Sequence, residues 1–352
     1  MERNHIAMND LQTKKERFER ILIHREAADR PLVSAWRHFI EAERDSAALA
    51  DATVAFQRQH DWDFVKINPR TTYYAEVWGN EYDYENYDGV VPAVSKAQIG
   101  QAADLRRIVA RTADAPPLRE QVEVIASVRE QLGPDVPIVQ TLFSPLAVLE
   151  YLCGHRTLAA YRPAVRSATP LPGILAADPG AVHAALQAIT ETLASYASAA
   201  LKAGADGIFY AVLGLARDGY LTETEYEHYG RTYDLQLLRS IAPAPVILHT
   251  CGPEAHPERF ADYPIAALHW ADLAPGNPGL HESGPWLHDP VAMGGVDERL
   301  FSETSTAAQI REQARTAIGQ AGDRPFILAP GCGLPLNATA EALRALRTAV
   351  QD

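Results

Sequence analysis

The chain has 352 residues, and 45 acidic against 32 basic side chains give it a formal net charge of −13. That balance repels nucleic acid and anionic membrane surfaces, so neither is expected as a partner. Hydrophobic residues make up 47% and charged residues 22%, enough to bury a large core in an ordinary globular domain. The three cysteines, Cys153, Cys251 and Cys332, are too few for a disulfide framework, and they suit a reducing, cytoplasmic setting in which thiols stay free. The charged N-terminus has no apolar signal-peptide core, and no run of about 18 apolar residues suggests a membrane span.

In chain order, "NDLQTKKERFERIL" predicts an opening helix capped by Asn9 or Asp10. Eight short apolar runs follow: "PLVSAW" (31–36), "FVKI" (64–67), "PIVQTLF" (137–143), "GIFYAV" (207–212), "PVILHT" (245–250), "AALHW" (266–270), "VAMGGV" (291–296) and "FILAPG" (326–331). Each suits a strand buried on both faces of a parallel sheet. Helical segments intervene, including "DSAALADATVAFQRQH" (45–60, capped by Asp45), "GAVHAALQAITETLASYASAALKAG" (180–204) and "TAAQIREQARTAIGQAG" (306–322), and "TAEALRALRTAV" (339–350) closes the chain.

Eight strands alternating with helices predict a single-domain α/β fold, a (β/α)8 TIM barrel over 1–352. The rival, an open doubly wound sheet, calls for a glycine-rich phosphate loop after the first strand, which "PLVSAWRHF" lacks. The stretch 68–136 reads as an insertion over the barrel mouth. It contains "NPRTTYYAEVWGNEYDYENYDG", dense in tyrosine and acids, and such loops commonly carry substrate contacts.

His249 and Cys251 stand two apart at the end of the fifth strand, so they point the same way. Cys332 follows the eighth strand. In a barrel all strand C-termini open onto one face, so these three can converge. One imidazole and two thiolates make a zinc ligand set that leaves a fourth position open. The plainer alternative is two buried cysteines and a hydrogen-bonded rim histidine. Cys153, in a helical segment, reads as structural, and Asp206 in "GADG" reads as a turn or cap.

"RPLVSAWRHF", "TLFSPLAVLEYLCG" and "GADGIFYAVLG" resemble the opening strand, the "SPWTLxxY…G" segment and the fourth-strand region of the uroporphyrinogen decarboxylase superfamily. "HTCG" with "APGCGLP" is similar to the H-x-C…C zinc signature of its methylcobamide:thiol (coenzyme M) methyltransferase branch. The resemblance implies a zinc-dependent methyltransferase in which His249, Cys251 and Cys332 hold Zn2+ and act on a small thiol or carboxylate substrate. A corrinoid carried by a partner protein would supply the methyl group, and barrels of this family often form homodimers. Arg37 and Tyr151 match a substrate-binding arginine and a site tyrosine of the decarboxylases. His38, Lys66, Asn68 and Tyr210 join them as candidate substrate contacts because they end strands at the mouth. Asp272 is a candidate partner for a metal-bound histidine, next to His269 and Trp270.

The chain departs from true decarboxylases. "WRHFIEAERD" lacks the second arginine of "RQAGR", Asn68 stands near the aspartate of "FSD", and Cys332 stands where those enzymes have a late histidine. A metal-free decarboxylase of porphyrin biosynthesis is the alternative, and a barrel that binds a corrinoid or a small acid without turnover is the third reading. Cysteine at 332 favours the metal.

Overall fold

A computed structural model describes residues 12–155 and 166–351. Its strands in chain order are β1 (Leu32–Val33), β2 (Val65–Ile67), β3 (Glu81–Asp88), β4 (Val91–Lys96), β5 (Ile138–Phe143), β6 (Gly207–Leu213), β7 (Val246–Thr250), β8 (Ala267–His269), β9 (Val291–Val296) and β10 (Phe326–Pro330). β3 and β4 pair antiparallel in a hairpin of their own. The other eight form one parallel sheet in the order β1-β10-β9-β8-β7-β6-β5-β2.

That order runs round the sheet without the reversal that marks a doubly wound fold. The two edge strands also meet. Asp63 N–H donates to Val33 O at 3.0 Å, Val33 N–H donates to the Asp63 carboxylate at 2.8 Å, and Ser34 Oγ donates to Phe64 O at 2.9 Å. The result is an α/β fold with a curled, eight-stranded parallel sheet of the TIM-barrel type.

Side chains alternate between two buried layers. Leu32, Phe64, Val139, Phe209, Ile247, Ala267, Met293 and Ile327 fill the inside of the curl. Their neighbours Val33, Ile208, Tyr210, Leu248, Leu268 and Leu328 pack outward with the helices. Both faces are covered, which is why the strands read as continuous apolar runs.

Helix starts follow local chemistry. Asp45 Oδ1 accepts from Ala48 N–H at 2.8 Å and caps Ser46–His60. Thr306 and Thr339 cap Ala307–Ala321 and Ala340–Thr348. The opening helix spans Lys14–Leu22 and its cap is Thr13, not the expected Asn9 or Asp10, which lie outside the described residues. Thr13 and Glu16 satisfy each other's backbone N–H groups, so the helix starts there.

Between β2 and β5 the chain forms the hairpin and then the helix Pro116–Leu132. Parallel pairing of β2 with β5 requires a crossover of that kind, so part of 68–136 is ordinary barrel connection. Among the described residues no helix is long and apolar enough to cross a membrane.

Candidate metal centre

His249 lies near the end of β7 and Cys251 just past it, both on the inner side of the curl. Cys251 N–H donates to Leu213 O at 3.0 Å, which fastens the β7 end to β6. Between Cys251 and Pro253 the chain turns through Gly252 at φ +86, a conformation cheap only for glycine. Cys332 follows β10. Gly331 N–H donates to Val296 O at 2.8 Å, and a Cβ on Gly331 would sit 3.0 Å from Ala271 Cα. A side chain there would have to push that backbone back by a few tenths of an ångström, so glycine suits the close approach.

These elements bring the three side chains together. Cys251 Sγ is 3.6 Å from Cys332 Sγ, which is 3.8 Å from His249 Nε2, and the three donor atoms all lie within 4.8 Å of one another. Tetrahedral zinc with bonds of about 2.3 Å to sulfur separates its sulfurs by about 3.8 Å, so the spacing fits that ion. His249 is buried, and burial, then His269 and Lys66, push its pKa well below the usual value. It is therefore a neutral donor. The Cys251 thiol is pushed up, first by its hydrogen bond with Cys332 and then by burial. Nearby positive charge is what would turn this pair into thiolates.

The triad forms part of the wall of a cavity of about 210 Å³ at the C-terminal ends of the strands. Four of the substrate-contact candidates line it: His38, Lys66, Asn68 and Tyr151. Lys66 Nζ donates to Asn68 Oδ1 at 2.5 Å. Burial lowers the pKa of Lys66 to about 7, partly offset by Cys332. Burial, with Lys66 close by, lowers that of His38 to about 3.

Arg37 and Tyr210 do not line the cavity. Arg37 donates to Leu336 O at 2.8 Å and lies near the Phe39 ring. Tyr210 is on the outer face of β6 and donates to Asp234 Oδ1 at 2.6 Å. Its neighbours Phe209 and Ala211 are the inward residues. Strand parity decides this: if Phe209 faces in, Tyr210 must face out. Asp272 accepts from Gly295 N–H at 2.8 Å and does not orient His249. Cys153 caps the helix Pro145–Leu152, and Asp206 accepts from Ile138 N–H at 2.8 Å.

Sequence reasoning missed two features. The first is His269, whose ring stacks on His249; parity with Ala267, an inward residue two positions earlier on the same strand, was the available signal. The second is the aromatic wall of Trp36, Tyr73, Tyr74, Phe143 and Phe209, drawn from distant segments without a shared motif.

Residues 27–352 match the family model described as uroporphyrinogen decarboxylase (URO-D). The chain belongs to the uroporphyrinogen decarboxylase family. Among solved structures, a methyltransferase from Methanosarcina mazei superposes with a TM-score of 0.77 at 21% identity, covering 96% of this chain and 98% of that one. A B12-independent methionine synthase from Shewanella sp. W3-18-1, in complex with selenomethionine, superposes with a TM-score of 0.57 at 14% identity, covering 91% and 96%. At those identities the likeness is one of fold. No curated protein sequence matches the chain significantly.

Proposed function

We propose that this chain is a zinc-dependent methyltransferase of the uroporphyrinogen decarboxylase family, moving a methyl group from a corrinoid or similar donor to a thiol. The observation that carries the reading is the convergence of His249, Cys251 and Cys332 in a cavity wall, their donor atoms within 4.8 Å of one another. Similarity to a solved methyltransferase adds support at the level of fold.

His249, Cys251 and Cys332 would hold the ion. The chemistry zinc supplies when bound is Lewis acidity, which lowers the pKa of an acceptor thiol so that its sulfur is nucleophilic near neutral pH. The protein's own groups do the rest. Two cysteine sulfurs offset the charge of a dication, and neutral His249 adds a donor without adding charge. The aromatic wall keeps water from the acceptor sulfur. The cavity opens at the strand ends, the side from which a methyl donor would approach. We read the hairpin Glu81–Lys96 as the part of 68–136 inserted over that mouth, since Val90 and Val91 line the cavity. We read the donor as a corrinoid on a partner protein, and the chain as a cytoplasmic protein able to form a homodimer.

The decarboxylase alternative has less support. A substrate with many carboxylates needs several free cations, yet of the lysine and arginine in the cavity lining Arg70 is already held by Glu76 and Glu120 at 2.7 and 2.6 Å, which leaves Lys66 alone. The test is bound zinc in purified wild type and Cys332→Ser. About one equivalent is expected in the first and a large loss in the second. Equal metal content in both rejects the site.

A further inference from the structure

The same cavity holds a second polar group, contributed by β2. Lys66 and Asn68 are each 7% exposed. Lys66 Nζ donates to Asn68 Oδ1. An ammonium can only donate, so this contact sets the amide's orientation and turns the Nδ2 donors away from the lysine. Among the described residues, Nδ2 makes no hydrogen bond and Lys66 forms no ion pair with a carboxylate. Instead the ammonium lies 4.4 Å from the ring centre of Phe209 and 5.1 Å from that of Trp36. Two more polar atoms nearby, His38 Nδ1 and Thr71 Oγ1, are buried without a hydrogen-bond partner. Burying the Lys66 ammonium without a carboxylate partner is costly, a bound carboxylate would offset that cost, and Asn68 Nδ2 is a second unpaired donor on the side chain that Lys66 contacts.

Most of the rest of the lining is aromatic or aliphatic, and its one guanidinium, Arg70, is already held by Glu76 and Glu120. Tyr73 and Tyr74 spend their hydroxyls on Thr141 O at 3.3 and 2.8 Å. An apolar cavity of about 150 Å³ takes up benzene, so about 210 Å³ accommodates a ring-sized apolar body with a short acidic arm. Phe209 touches both polar sets: Lys66 stands over its ring, and the His249 ring centre is 5.6 Å from its own.

We infer that the acceptor bound here is a small monocarboxylate with an apolar, ring-sized body. Its carboxylate oxygens meet Lys66 Nζ and Asn68 Nδ2, its body lies against Phe209 and Trp36, and its sulfur faces His249, Cys251 and Cys332. The sulfur placement rests on the methyltransferase reading; the acid-and-ring site does not. A second acidic group would lie against the aromatic wall, so dianionic acceptors are disfavoured.

The experiment is calorimetric titration of the full-length protein with phenylacetate and with its neutral counterpart phenylacetamide, with bound zinc measured in the same samples. Phenylacetate is expected to bind at least about tenfold more tightly, as a charge-assisted carboxylate site requires. Lys66→Met should bring the two probes to parity while keeping its metal. Asn68→Leu should reduce the preference about two- to fivefold, and it decides the matter if Lys66→Met fails to fold. Cys332→Ser should lose metal and keep the preference. Equal binding of the two probes to wild type, no binding of phenylacetate, or an undiminished preference in the folded Lys66 or Asn68 variants overturns the inference. A wild type without zinc that still prefers phenylacetate would reject the methyltransferase reading and leave this site standing.

Discussion

His269 Nε2 donates to the Pro330 carbonyl at 2.9 Å, two residues before Cys332, while its ring stacks on His249 with centres 4.6 Å apart and planes at 28°. A carbonyl only accepts, so this contact assigns the proton to Nε2. Burial lowers the pKa of His269 to about 3, which keeps it neutral. One side chain on β8 thus braces two of the candidate ligands, His249 on β7 and Cys332 just after β10.

Replacing it should therefore weaken metal binding without removing a ligand. His269→Phe keeps the bulk and loses the donor. We expect its zinc affinity to fall about 10- to 100-fold in competition with a chromophoric chelator. His269→Gln, which retains a donor, should lose less. Unchanged affinity in both variants would show that the Cys332 loop holds its place without this bond.

Gly295 and Gly319 should respond oppositely to alanine. Gly295 has φ +108, and a Cβ there would lie 2.5 Å from Ala317 Cβ on the helix Ala307–Ala321. Gly295→Ala should cost about 2–4 kcal/mol through strain and overpacking. Gly319 lies within that same helix and a Cβ on it meets nothing within 4 Å. Gly319→Ala should stabilise by about 0.5–1 kcal/mol. Denaturant midpoints of the two variants check both signs.

Asp234 should make stability depend on pH. It accepts from Tyr210 at 2.6 Å, Tyr226 at 3.1 Å and Tyr263 at 3.3 Å, yet burial dominates and raises its pKa to about 7. An unfolded aspartate titrates at about 3.9. Between about pH 4 and pH 7 the native state keeps a proton that the unfolded chain has lost. This group's stabilisation is thus complete below about pH 4 and declines as pH rises towards 7. Asp234→Asn removes the titration, so unfolding midpoints of the variant should lack that component of the decline. An identical pH profile in wild type and variant would refute the assignment.

Arg37→Ala should leave the cavity undisturbed. The guanidinium is bound to Leu336 O outside the lining residues. Phenylacetate affinity should stay within about twofold, and stability should drop by about 0.5–1.5 kcal/mol for one lost hydrogen bond. A large loss of affinity would return Arg37 to the site.

All eight sheet strands were legible as apolar runs because a sheet covered on both faces leaves no polar period to confuse them. The same property hid which residues face inward. "GIFYAV" offers both Phe209 and Tyr210, and only the curl of the sheet selects Phe209. His249 and Cys251 were recognisable as a pair because strand parity is local. Their approach to Cys332, 81 residues beyond Cys251, followed from the barrel hypothesis and needed the fold to give it distances. Thr13 as the first cap, the His269 brace and the Lys66–Asn68 pair depend on side chains choosing among several partners. By itself, then, the sequence determined the eight sheet strands, several of the helices between them and the residue types able to hold a metal, because hydrophobic periodicity is a near-neighbour property. The tertiary structure decided which side chains share a cavity, because strand pairing and closure set distances between residues far apart in the chain.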